Sequence, residues 1–143
     1  FGIAESTCSS IFATWVRLLA KLLGDALVVW LPKEAVYSNL PKLYHEKYRN
    51  VRCIIDCTEV FIERPKSLDE QAATWSDYKK HGTLKFLVCI SPNGFIMYLS
   101  DIYGGRASDQ FICQDSKFYN HLEYGDEILA DRGFQIKEDL MLY

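Results

Sequence analysis

Apolar positions recur at helical spacing near the start of the chain. Ile11, Phe12, Trp15, Val16, Leu18, Leu19, Leu22 and Leu23 share one broad stripe, which predicts an amphipathic helix over 6–23. Ser6 or Thr7 offers a hydroxyl N-cap and Gly24 a stop. Ahead of it, Gly2-Ile3-Ala4 reads as the tail of a tight turn. A stripe this apolar implies that one face of the helix packs on something. Pro32, Pro41 and the pattern Leu40, Leu43, Tyr44, Tyr48 predict a second short helix or two capped turns across 30–50.

From Val51 the texture becomes β-like. Residues 51–62 are rich in Val, Ile, Cys, Thr and Phe around a lone Asp, which predicts a central strand. Residues 63–83 are polar and irregular and predict a long loop with one helical turn. Strands follow at 84–90 and 95–103, joined by the turn Ser91-Pro92-Asn93-Gly94. Gly104-Gly105-Arg106 ends the second of these. Ser108-Asp109 caps a helix through Leu122, with Phe111, Ile112, Phe118, Tyr119 and Leu122 on its apolar stripe. Tyr124-Gly125-Asp126 then turns the chain into a short strand at 127–130. Three successive antiparallel strands, a crossover helix and a fourth strand open a mixed α/β fold of the ribonuclease-H-like kind, although strand order alone is shared by many α/β folds.

Composition narrows the partners. With 143 residues and 49% apolar composition, the chain can build one domain with a real core. A net charge of −3 argues against a generally basic nucleic-acid surface, so any DNA contact has to come from local patches or metal ions. The odd cysteine count, without a Cys-x-x-Cys pair, points to buried free thiols in a reducing compartment. His45, His81 and His121 are scattered, none with a partner at ligand spacing. Lys21 and Asp25 interrupt the best apolar run, so no stretch is suited to span a membrane.

The candidate chemistry lies in carboxylates. Asp56 interrupts Cys53-Ile54-Ile55-Asp56-Cys57-Thr58, a run that otherwise belongs in a core, where a carboxylate is costly unless paired or metal-bound. A hydrogen bond to loop backbone or an Arg partner would equally account for it. Strand alternation separates Asp56 from Cys57 and Glu59, so Asp56 and Glu59 should share a site only through a bulge. Glu59 and Glu63 are expected on the solvated or loop-covered face, and Asp101 on the surface. Asp131 follows Ile128-Leu129-Ala130 and precedes Arg132-Gly133, a strand end suited either to a metal ligand or to a turn or N-cap aspartate. If the first and fourth strands lie side by side, Asp56 and Asp131 reach the same edge, where a pair of divalent ions could bridge a phosphate. Asp109 is a helix cap or a supporting site residue. Lys79, Lys80, His81 and Lys85 form the densest basic cluster, either a phosphate contact or a solvated loop.

Several of these segments carry a resemblance. Ile54-Ile55-Asp56-Cys57-Thr58-Glu59, Arg64-Pro65, the stretch from Trp75 to Lys85, Ile90-Ser91-Pro92-Asn93-Gly94, Gly104-Gly105-Arg106-Ala107-Ser108-Asp109 and Leu129-Ala130-Asp131-Arg132-Gly133-Phe134 resemble the DDE superfamily endonucleases. They are most similar to the PIF/Harbinger-related transposases of animal genomes, in unbroken order over residues 50–137. The stretch 1–12 resembles the second half of the helix-turn-helix that precedes the nuclease in that family.

The resemblance implies a ribonuclease-H-like mixed sheet, truncated here and preceded by a helical segment. Residues 1–24 would end a helix-turn-helix, 25–50 form a helical linker, and 51–143 begin an incomplete endonuclease domain. It implies a nuclear, divalent-metal-dependent DNA endonuclease and strand transferase using Mg²⁺ or Mn²⁺. Asp56 and Asp131 match its first two catalytic, metal-binding aspartates, with Asp109 the second choice for a metal ligand. DNA is the implied partner, with room for a homo-oligomer in the full-length protein. The family's third carboxylate, a Glu on a later helix, has no counterpart, because Glu138 and Asp139 follow the fourth strand too closely. The chain alone is therefore expected to be inactive. The rival expectation is a domesticated, catalytically inactive module that binds DNA or protein.

Overall fold

A computed structural model describes residues 2–140, apart from the side chain of Glu138. The central strand β1, Val51–Phe61, pairs on both sides. Its β-branched and aromatic residues suit extended backbone, as the sequence predicts. β3, His81–Ile90, runs antiparallel to it from Ile54↔Ile90 to Phe61↔Thr83. β6, Glu127–Ala130, runs parallel to it and stops at the pair Ile55↔Ala130. The far side of β3 carries three short antiparallel partners in succession. These are β4 (Ile96–Leu99), β5 (Tyr103–Gly104) and β2 (Trp75–Ser76). The result is the expected mixed, ribonuclease-H-like sheet with its parallel crossover from the hairpin to β6.

The core lies on one face of this sheet. Cys53, Ile55, Leu87 and Cys89 alternate inward from β1 and β3. They meet Ile112 and Cys113 of α4 (Asp109–Asp115) and Phe118 of a 3-10 turn, Phe118–His121. Ser108 caps α4 by accepting a hydrogen bond from the Phe111 amide at 3.1 Å. Lys117, in the left-handed region at φ 61°, breaks the predicted continuous helix to Leu122 into helix plus 3-10 turn. α5, Lys137–Leu140, is tied to this layer by Asp139, which accepts from Gln110, Gln114 and Tyr119. Asp139 is thus occupied structurally.

The segment before β1 is fastened by charge. α2, Lys33–Ser38, buries Val36. Arg52 sits at an irregularity between Val51 and Cys53 and is almost wholly buried. Its guanidinium donates to the Leu31 carbonyl, lies 4.9 Å over the Trp30 ring and pairs with Asp126 at 3.7 Å. Lys33 joins Asp126 from the other side at 3.0 Å.

Three further elements depart from expectation. α1 runs from Glu5 to Leu27, capped by Ala4 without a side-chain bond, so Ser6 and Thr7 lie inside it and Gly24 does not stop it. None of its residues is buried, so among the described residues nothing covers the apolar stripe that was expected to pack. The 63–83 loop holds α3 (Leu68–Thr74) and β2, and β3 begins at His81, three residues early. The third strand splits into β4 and β5 around Ser100, whose hydroxyl accepts from the Leu87 amide at 2.9 Å. Cys53, Cys89 and Cys113 are buried free thiols, whereas Cys57 is half-buried and Cys8 exposed.

Candidate carboxylate site at the open edge of the sheet

The site follows from unequal strand lengths. β6 ends at Ala130 while β1 continues to Phe61, so from Asp56 onward β1 has no strand neighbour on that side among the described residues. The parallel register leaves Asp56 and Asp131 as the next residues after the last pair. Both line one open cavity of about 390 Å³, together with Cys57, Glu59, Tyr78, Lys79, Lys85 and Asp109. Asp56 is exposed, so it is not the buried core carboxylate its apolar neighbours suggest. Glu59 shares the cavity with it although no bulge lies between them. The irregularity in β1 falls at Arg52, and the cavity reaches both faces of the strand around its free edge.

Each aspartate is oriented through its own backbone neighbour. Asp56 Oδ1 accepts from the Cys57 amide at 2.8 Å, and Asp131 Oδ1 from the Arg132 amide at 2.6 Å. The second oxygen of each has no protein partner among the described residues. These are hard oxygen donors of the kind that hold Mg²⁺ or Mn²⁺, which commonly bind through one or two carboxylates and complete their shell with water and phosphate oxygens. In that limited sense the residues fit a divalent cation. Among the described residues, however, no group of three His, Cys, Asp or Glu side chains is disposed to hold a metal.

Asp109 is differently engaged. Its Oδ1 lies 2.8 Å from Lys85 Nζ, and Lys85 is 3.7 Å from Glu59 Oε1 and donates to the Ala107 carbonyl at 3.3 Å. Burial alone would lower the pKa of Lys85, but the hydrogen bond and charge of Asp109, helped by Glu59, outweigh it and raise the value above 10.5. Glu59 also accepts from Thr83 at 2.9 Å. Its side chain is only 9% exposed, so Glu59 is held by its cross-strand neighbours in the cavity it shares with Tyr78 and Lys79 of the loop and does not lie free in solvent. Burial, then the charge of Asp109, push the Cys57 thiol well above its ordinary value and keep it neutral.

The basic cluster divides. Lys79 lines the carboxylate cavity, with its ammonium 4.7 Å over the Tyr78 ring. Lys85 is in the same cavity as a partner of carboxylates. Lys80, at φ 54°, closes the hairpin turn by donating its amide to Ser76 at 2.8 Å. His81 lines a separate cavity. Cys57, Glu59 and Tyr78 are the cavity residues that sequence reasoning did not select. The Glu59↔Lys85 pairing was the available signal, but it needed the β1–β3 register.

A mixed sheet with aspartates converging beside its central parallel pair defines the class as a ribonuclease-H-like α/β domain with a carboxylate-lined edge. The family model for DDE superfamily endonucleases matches residues 55–143, more than half of the chain, and the chain belongs to that family. The family brings with it a transposase-like endonuclease function. No curated protein and no solved structure matches the chain.

Proposed function

We propose that this chain contributes the first two catalytic carboxylates, Asp56 and Asp131, of a divalent-metal-dependent DNA endonuclease and strand transferase related to the PIF/Harbinger transposases. The supporting observation is the parallel register that leaves these two aspartates side by side at the open edge of β1, lining one cavity. A bound Mg²⁺ or Mn²⁺ would supply Lewis-acid charge to a phosphodiester and lower the pKa of an attacking water. The unpartnered oxygens of Asp56 and Asp131 would hold it, with Asp109 released from Lys85 as a third donor. Lys79, at the rim, would offset phosphate charge, and the hairpin turn would orient the strand. Nuclear localisation, self-association and a DNA-reading role for α1 accompany this reading.

Calorimetric titration with Mn²⁺ tests it. Weak binding is expected for the wild-type chain and should vanish in both Asp56→Ala and Asp131→Ala. Binding that persists in both variants would place the metal elsewhere and sink the assignment. The pairing of Asp109 and Glu59 with Lys85 favours a second reading, a catalytically silent DNA-binding or protein-interaction module in which these carboxylates serve as a structural ion pair. In that case DNA affinity would persist without Mn²⁺ and be indifferent to Asp56→Ala.

A further inference from the structure

The hairpin joining β2 to β3 contributes side chains to two cavities. Tyr78 and Lys79, at its tip, line the carboxylate cavity, whereas Trp75, His81 and Gly82, at its base, line another of about 370 Å³. The rest of that second cavity is Arg64 and Pro65 from the loop after β1, with Gln71 and Thr74 from α3. Its volume falls in the range of roughly 300–1,000 Å³ usual for ligand pockets.

Three of its side chains are held in place yet incompletely used. Trp75 Nε1 donates to Asp77 Oδ1 at 3.2 Å, which fixes the indole while leaving the residue 44% exposed. Arg64 Nε donates to Gln71 Oε1 at 2.9 Å, and Gln71 in turn donates to the Pro65 carbonyl at 2.8 Å. Both Nη groups of Arg64 are left without a protein partner among the described residues. His81 Nδ1 contacts the Gly82 carbonyl at 2.9 Å, and its ring meets Phe61 edge-on at 5.2 Å, so Nε2 remains available. An exposed aromatic face beside oriented guanidinium and imidazole nitrogens is the combination that stacks a nucleobase and contacts its polar edge or its phosphate.

We propose that this cavity is a stacking subsite for an unpaired nucleobase of the DNA strand whose phosphodiester enters the carboxylate cavity. The proposal rests on DNA being the substrate. Trp75 is the platform and Arg64 and His81 supply the polar contacts. One hairpin then positions both the reacting phosphate, through Lys79, and a base near it on the same strand. The occupant is single-stranded because the face of a base paired and stacked within a duplex is not free to meet the indole.

The test uses two labelled DNA duplexes of equal length, each with a short single-stranded overhang. One overhang carries bases and the other carries abasic residues, so phosphate charge is matched. Binding to the chain is followed by fluorescence anisotropy in EDTA, which removes any metal contribution. The wild type should bind the base-bearing overhang about tenfold more tightly, the scale of one base–aromatic stack. Trp75→Leu keeps apolar bulk without a π-face, and it should erase that preference while leaving affinity for the abasic duplex unchanged. Trp75→Phe should retain most of the preference, and Arg64→Ala, at an exposed position, should reduce it. Equal wild-type affinity for the two duplexes would overturn the subsite while leaving DNA binding standing. So would a preference undiminished in both Trp75→Leu and Arg64→Ala. Failure of the wild type to bind either duplex would overturn the subsite and the DNA-substrate reading together.

Discussion

Lys85 illustrates how one side chain can set the charge of a site. It pairs with Asp109 at 2.8 Å and approaches Glu59 at 3.7 Å, with its own side chain 12% exposed. Replacing it by Met would leave two partly shielded carboxylates without their cation, beside Asp56 and Asp131. Removing one partner of a fully buried pair costs about 3–5 kcal/mol, and the partial exposure of Asp109 reduces the expectation to about 2 kcal/mol. Urea unfolding of Lys85→Met should show that loss. The double variant Lys85→Met/Asp109→Asn should recover part of it, because the uncompensated charge goes with the pair. Additive losses would mean that the contact carries no coupling. Asp56 and Asp131 were legible in the sequence because each carboxylate interrupts or ends an apolar run. Lys85 and Glu59 were not, because their pairing exists only across two strands whose register no local pattern states. The division of the basic cluster was hidden for a related reason, since neighbours along a hairpin diverge into different cavities.

At the scale of elements, α3 and β2 depend on two glycines. A Cβ on Gly105 would lie 2.0 Å from Thr83 Oγ1 and 2.8 Å from the Thr74 carbonyl, and one on Gly104 would lie 2.2 Å from the Ala73 carbonyl. The close approach lets the chain after β5 pack directly on the end of α3, where the Arg106 amide reaches the Ala73 carbonyl at 3.4 Å. Gly105→Ala should therefore cost about 1–3 kcal/mol, as overpacking does. Gly133→Ala, where nothing lies within 4 Å of the added carbon, should be close to neutral. Similar midpoints for the two variants in one denaturation series would refute the packing argument. The sequence marked Gly104-Gly105 as the end of a strand but could not show what approaches it.

Tyr103, on β5, gives that neighbourhood a pH dependence. Burial first, then a 2.9 Å hydrogen bond to Asp115, push its hydroxyl from 10.0 up to about 12. A folded-state pKa above the unfolded value means that the unfolded chain loses its proton first. The contribution is thus complete below pH 10 and disappears as pH climbs toward 12. Tyr103→Phe keeps the edge-on contact with Phe111, at 6.0 Å, but removes the ionisation. Its stability should fall less steeply than the wild type's across that window, and identical slopes in urea titrations at several pH values would refute the assignment.

The whole molecule divides at about residue 28. Among the described residues, everything that builds the core lies beyond it, from Trp30 and Leu31 packed at its margin through Val36 and Ile136 to Leu140. α1 contributes no buried residue, and Phe12, Trp15, Leu22 and Leu27 are all more than half exposed. Amphipathic periodicity was legible in the sequence, but periodicity says only which face is apolar. What meets that face is a property of the assembled surface. Two energetic consequences follow in opposite directions. Removing residues 1–27 forfeits almost no burial, so the melting temperature of the remaining chain should stay within about 4 °C, the scale of 1 kcal/mol for a domain of roughly this size. It also removes a stripe of exposed large apolar side chains, so the shortened chain should self-associate less at matched concentration. Thermal melts and sedimentation of the two chains measure both effects. A large drop in melting temperature would mean that the helix packs on the sheet domain after all. Unchanged self-association would mean that the attraction between copies comes from elsewhere, such as the half-open face of the sheet carrying Ile96 and Leu99.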